Sequence, residues 1–156
     1  MHILTEKCIS STLLYRFMRC LLFHAKHFHT EVVGLAKRPK GITPEKVNKQ
    51  IEDAIDAIVV FVTVEKGDNA EKCSSVCVKD VSNFTEEVGV STVVLCPFAH
   101  LSHALADSKT ALETLDQIDL KLREAQLKVH RVHFGSDKSL LLDIYGHGEN
   151  VRFREY

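Results

Sequence analysis

Hydrophobic and polar positions along the chain change period several times, and each change marks an element. Arg19 to Ala25 (RCLLFHA) is a short, bounded apolar run that predicts a first strand. Glu31 to Leu35 predicts a second, near enough to the first for a hairpin or a bent pair. A charged loop, KRPKG, comes next with Pro39 and Gly41. Thr43-Pro44-Glu45 reads as a helix start: a hydroxyl cap, proline at the first helical position, then an acid. Val47, Ile51, Ala54 and Ile58 continue from it at helical spacing.

The period then switches. Ile58 to Val64 (IVVFVTV) is β-branched and almost wholly apolar, as in a strand covered on both faces. Lys66-Gly67-Asp68-Asn69 turns the chain, and Cys73, Cys77, Val81, Phe84 and Val88 line one face of a second helix. Ser91 to Cys96 (STVVLC) is another buried strand, stopped by Pro97. A third helix carries Leu112, Leu115, Ile118 and Leu122 on one face and charge on the other. Leu127 to Phe134 and Leu140 to Tyr145 predict two last strands separated by GSDK.

The expected order is therefore β-β-α-β-α-β-α-β-β. Helices between buried strands argue for parallel crossovers, with hairpin additions at the ends: an α/β domain on a mixed sheet. No internal repeat, linker or low-complexity segment divides the chain, and 156 residues suffice for one real core. Residues 1–17 show no period and are expected to be an N-terminal extension to a domain spanning 18–156.

Composition narrows the function classes. Apolar residues at 45% and charged residues at 26% exclude a disordered chain. A net charge of -1 excludes the basic footprint of a free-standing nucleic-acid binder, so a nucleic-acid substrate would be touched at its end only. Five cysteines, none in a C-x-x-C pair, point to a reducing compartment rather than a disulfide framework. Arg16 and Arg19 interrupt the apolar residues near the N-terminus, leaving neither a secretory core nor a membrane span; cytoplasm is the expected location.

Ligands in open α/β sheets bind beyond the carboxyl ends of the strands. Three segments leave a strand and turn polar there: Val64-Glu65-Lys66, Pro97 to Ser102, and Gly135 to Lys138. Meeting at one end of the sheet, they would bring together His100, Glu65, Asp137 and Lys138. His24, His27 and His29 are a weaker constellation, because no carboxylate or cysteine beside them completes a ligand set; no metal site is expected. Cys73 and Cys77 belong to the helix core, and His130 and His133 read as surface or stacking residues of a strand. Lys37, Arg38 and Lys40 make a short basic cluster suited either to nucleic-acid phosphates or to solvent.

The motifs MRCLLFHA, a strand ending in VEK, PFAHLS before a helix, and FG-x-x-K followed by a strand and GHG occur in order from Met18 onward. Together they resemble the editing domain of archaeal threonyl-tRNA synthetase, whose fold is shared with D-aminoacyl-tRNA deacylases; Met18 matches that family's first residue. The resemblance implies hydrolysis of serine from mischarged tRNA(Thr), without a cofactor. Lys138 would steady negative charge on the ester oxygen, and His100 would position water or the ribose. Val64, Glu65, Pro97, Phe98 and Ala99 would line the adenosine and aminoacyl pocket, together with Gly135, Asp137 and His24. Implied partners are the tRNA acceptor end, a second copy in a homodimer, and the catalytic part of the synthetase.

Two positions depart from the family pattern. Asp137 replaces an aromatic residue before the lysine, and Val151 replaces a glutamate that comes after the GH motif, with Glu149 and Glu155 as nearby candidates. The shared fold keeps open D-aminoacyl-tRNA deacylation, and these departures keep open a non-catalytic module that binds the tRNA end or dimerises.

Overall fold

A computed structural model describes residues 18–156, so the expected extension at 1–17 lies outside the described residues. The element order is β1 (Arg19–Leu35), β2 (Ile51–Thr63), α1 (Ala70–Val88), β3 (Thr92–Pro97), α2 (Ser108–Glu124), β4 (Lys128–Arg131), β5 (Ser136–Ile144) and β6 (Val151–Glu155). The six strands form one mixed sheet in the order β4-β3-β2-β1-β5, with β6 beside β1 as well. β2, β3 and β4 are parallel, and β1 runs antiparallel to β2, β5 and β6. The α/β class and the mixed sheet agree with the sequence-based expectation.

Three expectations need correction. The two short strands at the start are one 17-residue strand, β1. The helix expected from Thr43 does not form, and Ile51 onward belongs to the 13-residue strand β2. Ala, Asp and Glu are poor strand formers, but β1 offers this segment a ladder from Arg19↔Thr63 to Glu31↔Ile51. Ladder bonds and burial of Glu52, Ala54 and Ala57 outweigh local helical spacing. Finally, the C-terminal residues add β6, which pairs with β1 from Arg19↔Glu155 to Phe23↔Val151. Among the described residues there are thus two helices rather than three.

Both helices cross over between parallel strands stepping in one direction, so right-handed connections place them on one face of the sheet. Each has a built start. Asn69 caps α1 by accepting from the Lys72 N–H at 2.9 Å, and Asp107 caps α2 by accepting from the Thr110 N–H at 2.8 Å. Gly89, at φ 73, ends α1 in the left-handed conformation that glycine adopts without strain. Cys73, Cys77, Val81 and Phe84 from α1 meet Ala111, Leu115, Ile118 and Leu122 from α2 over Leu22, Ile58, Val60 and Leu95 of the sheet.

The other face holds a second core of Ala25, Phe28, Ala57, Val59, Phe61, Val94, Cys96 and Val132. The long strands bend near their middle: Lys26 and Asp56 drop out of the β1–β2 ladder, and Asp56 has φ 53. On the far side of the bend, Glu52 of β2 meets His130 of β4 at 3.0 Å although β3 separates the two strands in the sheet. The sheet is therefore curled on itself. Among the described residues, no helix is long and apolar enough to cross a membrane.

Candidate functional site: a lysine-bearing cleft

The curl leaves a cleft of about 490 Å³ where the carboxyl ends of β2 and β3 face the start of β5. Thr63 and Val64 form its floor, Pro97, Phe98, Ala99 and His100 one wall, and Gly135, Ser136, Asp137 and Lys138 the other. All three segments singled out in the sequence reach this place. Its volume is that of an ordinary small-ligand site.

The β5 wall is tightly held. The Lys138 ammonium donates to the carbonyls of His133 and Ser136 and to the Ser136 hydroxyl, each at 3.0 Å. His133 Nε2 donates to the Glu45 carbonyl at 2.8 Å, and its Nδ1 is hydrogen-bonded with Ser136 Oγ at 2.9 Å. A chain of hydrogen bonds thus runs from Lys138 through Ser136 and His133 to Glu45. Glu45 adds its carboxylate, accepting from the Phe134 N–H at 2.7 Å. His133, expected at the surface, is buried and braces this loop. Gly135 has φ 85, and a Cβ there would meet the Pro44 Cα at 2.6 Å. Only glycine meets both demands.

Burial holds the Lys138 ammonium below the ordinary lysine pKa, while Cys96, Asp137 and Glu45 push it back up. Cys96 lines the same cleft, but burial pushes its thiol up to about 12. A thiol so strongly protonated near neutral pH is not a nucleophile.

The opposite wall is anchored at its base and loose at its tip. The Phe98 N–H donates to the Val62 carbonyl at 2.9 Å, and the Thr63 hydroxyl donates to the Phe98 carbonyl. Arg19 donates to the Leu101 carbonyl at 2.9 Å and pairs with Glu65 at 2.7 Å and Glu155 at 3.3 Å. The wall's tip is His100, an exposed residue whose ring meets the Phe98 ring edge-on at 4.9 Å.

Of the expected site residues, Val64, Pro97, Phe98, Ala99, His100, Gly135, Asp137 and Lys138 line the cleft. Glu65 does not. It is buried beneath the wall as the partner of Arg19, and its backbone N–H donates to Asp68 at 2.6 Å. His24 lies elsewhere, against His147 at 2.8 Å, Asp56 at 3.3 Å and the Tyr145 ring. Val151 sits opposite Phe23 on β1, whereas Lys138 sits opposite Val32. Glu149 and Glu155 do not line the cleft either; Glu155 is spent on Arg19. Sequence reading missed Ser136, His133 and Arg19. The first two lie in or beside FG-x-x-K, and Arg19 is the lone charge at the start of an apolar strand.

Arg38 of the basic cluster also lines the cleft. The isolated histidines expected to lack an acidic partner have one: Asp53 of β2 accepts from His27 at 2.9 Å and His29 at 2.7 Å.

A curled mixed sheet with two helices on one face and a cationic cleft at its strand ends is consistent with a D-aminoacyl-tRNA deacylase-like fold. Residues 18–155 match the family described as the archaea-specific editing domain of threonyl-tRNA synthetase, and the chain belongs to that family. It is 38% identical over 132 residues to a threonine–tRNA ligase of Staphylothermus marinus, covering 83% of this chain and 21% of the relative. It is 38% identical over 133 residues to the ligase of Thermofilum pendens, with the same coverage. A threonine–tRNA ligase editing subunit of Saccharolobus solfataricus is 33% identical over 130 residues, covering 83% of this chain and 32% of the subunit. The chain therefore spans only about a fifth of the ligases and a third of the editing subunit. Membership in an editing-domain family implies a deacylase role in proofreading mischarged tRNA.

Proposed function

We propose that this chain hydrolyses the ester joining serine to the terminal ribose of tRNA(Thr) and spares threonine. The observation that carries this reading is the cationic Lys138, fixed at the wall of a cleft that faces His100, within an editing-domain family. The chemistry demands such a site. Serine lacks one methyl of threonine, and a missing methyl gives a synthetase only about 1–3 kcal/mol, roughly 10–200-fold discrimination. A second site that accepts serine and has no room for the extra methyl supplies the rest.

In the proposed reaction, water attacks the ester carbonyl carbon, the carbon–ribose oxygen bond breaks, and the ribose oxygen leaves with a proton. Lys138 stabilises the negative charge that develops on the carbonyl oxygen. All three Lys138 N–H groups already have protein acceptors, so the substrate oxygen takes the place of Ser136 Oγ. His100 orients the water or ribose, with the adjacent ribose 2′-hydroxyl assisting proton movement. Val64, Pro97, Phe98 and Ala99 enclose the aminoacyl-adenosine end, with Gly135 and Asp137 across from them. Arg38, at the cleft, takes a phosphate of the acceptor strand. Among the described residues, β5 and β6 form an edge of the sheet with exposed Leu141 and Phe153, and this edge suits pairing with a second copy.

The decisive experiment compares Ser-tRNA(Thr) with Thr-tRNA(Thr) as substrates of the purified chain. Serine release with threonine retained supports this reading. Equal loss of both would refute the exclusion of the methyl group, and release confined to a D-aminoacyl-tRNA assayed beside them would transfer the function to chiral proofreading.

A further inference from the structure

A second constellation lies on the outside of the sheet. His27 and His29 are two residues apart on β1, so strand alternation sends both to the face opposite buried Phe28 and Thr30. Thr30 lines the cleft; the two imidazoles point away from it. Asp53 is the direct ladder partner of His29, a position where side chains of neighbouring strands meet. Its Oδ2 accepts from His27 Nε2 at 2.9 Å and from His29 Nδ1 at 2.7 Å. All three donor atoms lie within 4.8 Å of one another. On the other flank of β1, Asp143 of β5 is the ladder partner of His27.

We propose that His27, His29 and Asp53 form a three-ligand site for a divalent transition-metal ion such as zinc or nickel. Two imidazole nitrogens and one carboxylate oxygen suit these borderline ions, whereas magnesium and calcium demand oxygen ligands throughout. Donor atoms about 2.1 Å from one tetrahedral ion stand roughly 3.4 Å apart. The present histidine–carboxylate separations of 2.7 and 2.9 Å would have to open by roughly 0.5–0.7 Å, and the two imidazole nitrogens already lie within 4.8 Å of each other. The side chains are partly exposed, at 40%, 37% and 47%, so an ion can reach them from solvent. Their backbones are fixed in one hydrogen-bonded ladder, so the site needs no folding step to assemble.

Each imidazole now directs an N–H at Asp53. Moving that proton to the ring's other nitrogen frees a lone pair for the ion without any net proton change in a neutral ring. Three protein ligands leave at least one position for water or for Asp143. The ion would take no part in ester hydrolysis, since the ligands face away from the cleft.

Calorimetric titration of the full chain with zinc chloride, nickel chloride and magnesium chloride tests this. One saturable zinc or nickel site, with no magnesium uptake at the same concentration, is expected. Asp53→Asn and His29→Gln should each weaken that uptake at least tenfold, while His147→Gln, in the separate His24 cluster, should leave it unchanged. Cobalt supplies a direct readout: its visible absorption should show nitrogen and oxygen ligation in the parent chain and lose that signature in Asp53→Asn. Absence of saturable uptake overturns the proposal. So does uptake that survives Asp53→Asn and His29→Gln but disappears in His147→Gln.

Discussion

The two walls of the cleft are built on opposite principles. The wall at Gly135–Lys138 is over-determined: Lys138, Ser136, His133 and Glu45 form a continuous hydrogen-bonded chain, and Gly135 is pressed against Pro44. Among the described residues, the wall at Pro97–His100 is tied through Pro97, Phe98 and the neighbouring Leu101, while exposed His100 touches one aromatic edge. A charge that must meet a developing oxyanion gains from fixed placement, because a preorganised group needs no reorganisation during reaction. A residue that positions water or a ribose benefits from adjustment to its substrate. On the proposed reaction, the difference pairs the fixed wall with the electrostatic role of Lys138 and the more exposed wall with the positioning role of His100.

The sharpest way to break this comparison is to remove the charge. Lys138→Ala should lower serine release by about 10²–10³-fold, the cost of losing one oxyanion-stabilising donor, while the circular dichroism spectrum stays unchanged. Undiminished turnover would strip the rigid wall of its role. Gly135→Ala attacks the placement instead. A Cβ 2.6 Å from the Pro44 backbone, on a residue at φ 85, should cost roughly 1–3 kcal/mol in denaturant unfolding. Serine release should fall with it, since Lys138 belongs to the same loop.

The same contrast governs what could be read from the sequence. The helix-covered half was legible: buried strands IVVFVTV and STVVLC, amphipathic helices and the turn between the first strand and its helix are all local patterns. The segment around Glu45 was not. Thr43-Pro44-Glu45 carries strong helix-start chemistry, but its Glu45 is consumed by long-range bonds to His133 and Phe134, and β1 recruits residues 51–63 into its ladder. Glu65 and His24 lie outside the cleft and Ser136 was missed, but most of the cleft residues were legible from motifs at the strand ends. Those that brace them were not, because Arg19 and His133 gain meaning only through partners far along the chain. Asp53 escaped for the same reason: it lies on a neighbouring strand, paired with His29 by ladder register rather than sequence proximity.

On the adaptable wall, smaller effects are expected. His100→Ala should reduce serine release about tenfold, the worth of one hydrogen bond near 1.4 kcal/mol, with thermal stability preserved. An effect as large as that of Lys138→Ala would mean that both walls act on the reacting atoms. A loss of stability would show that the exposed tip is structural after all.

The alkaline pH profile separates the walls most finely. Burial disfavours the charged form of Lys138, so its proton leaves below the ordinary value of 10.5. Catalysis that depends on the cation is present below the lowered pKa and declines as pH rises through it. Stability moves the other way. The unfolded chain holds this proton to higher pH than the folded one, so this residue's contribution to stability rises between the lowered pKa and 10.5. Serine release, corrected for spontaneous ester hydrolysis, should therefore fall in a range where the fold is gaining from the same deprotonation. The enzymatic decline should persist in His100→Ala and vanish from the residual rate of Lys138→Ala. A decline that persists in Lys138→Ala would place the titrating group elsewhere and undo the link between the rigid wall and the charge it presents.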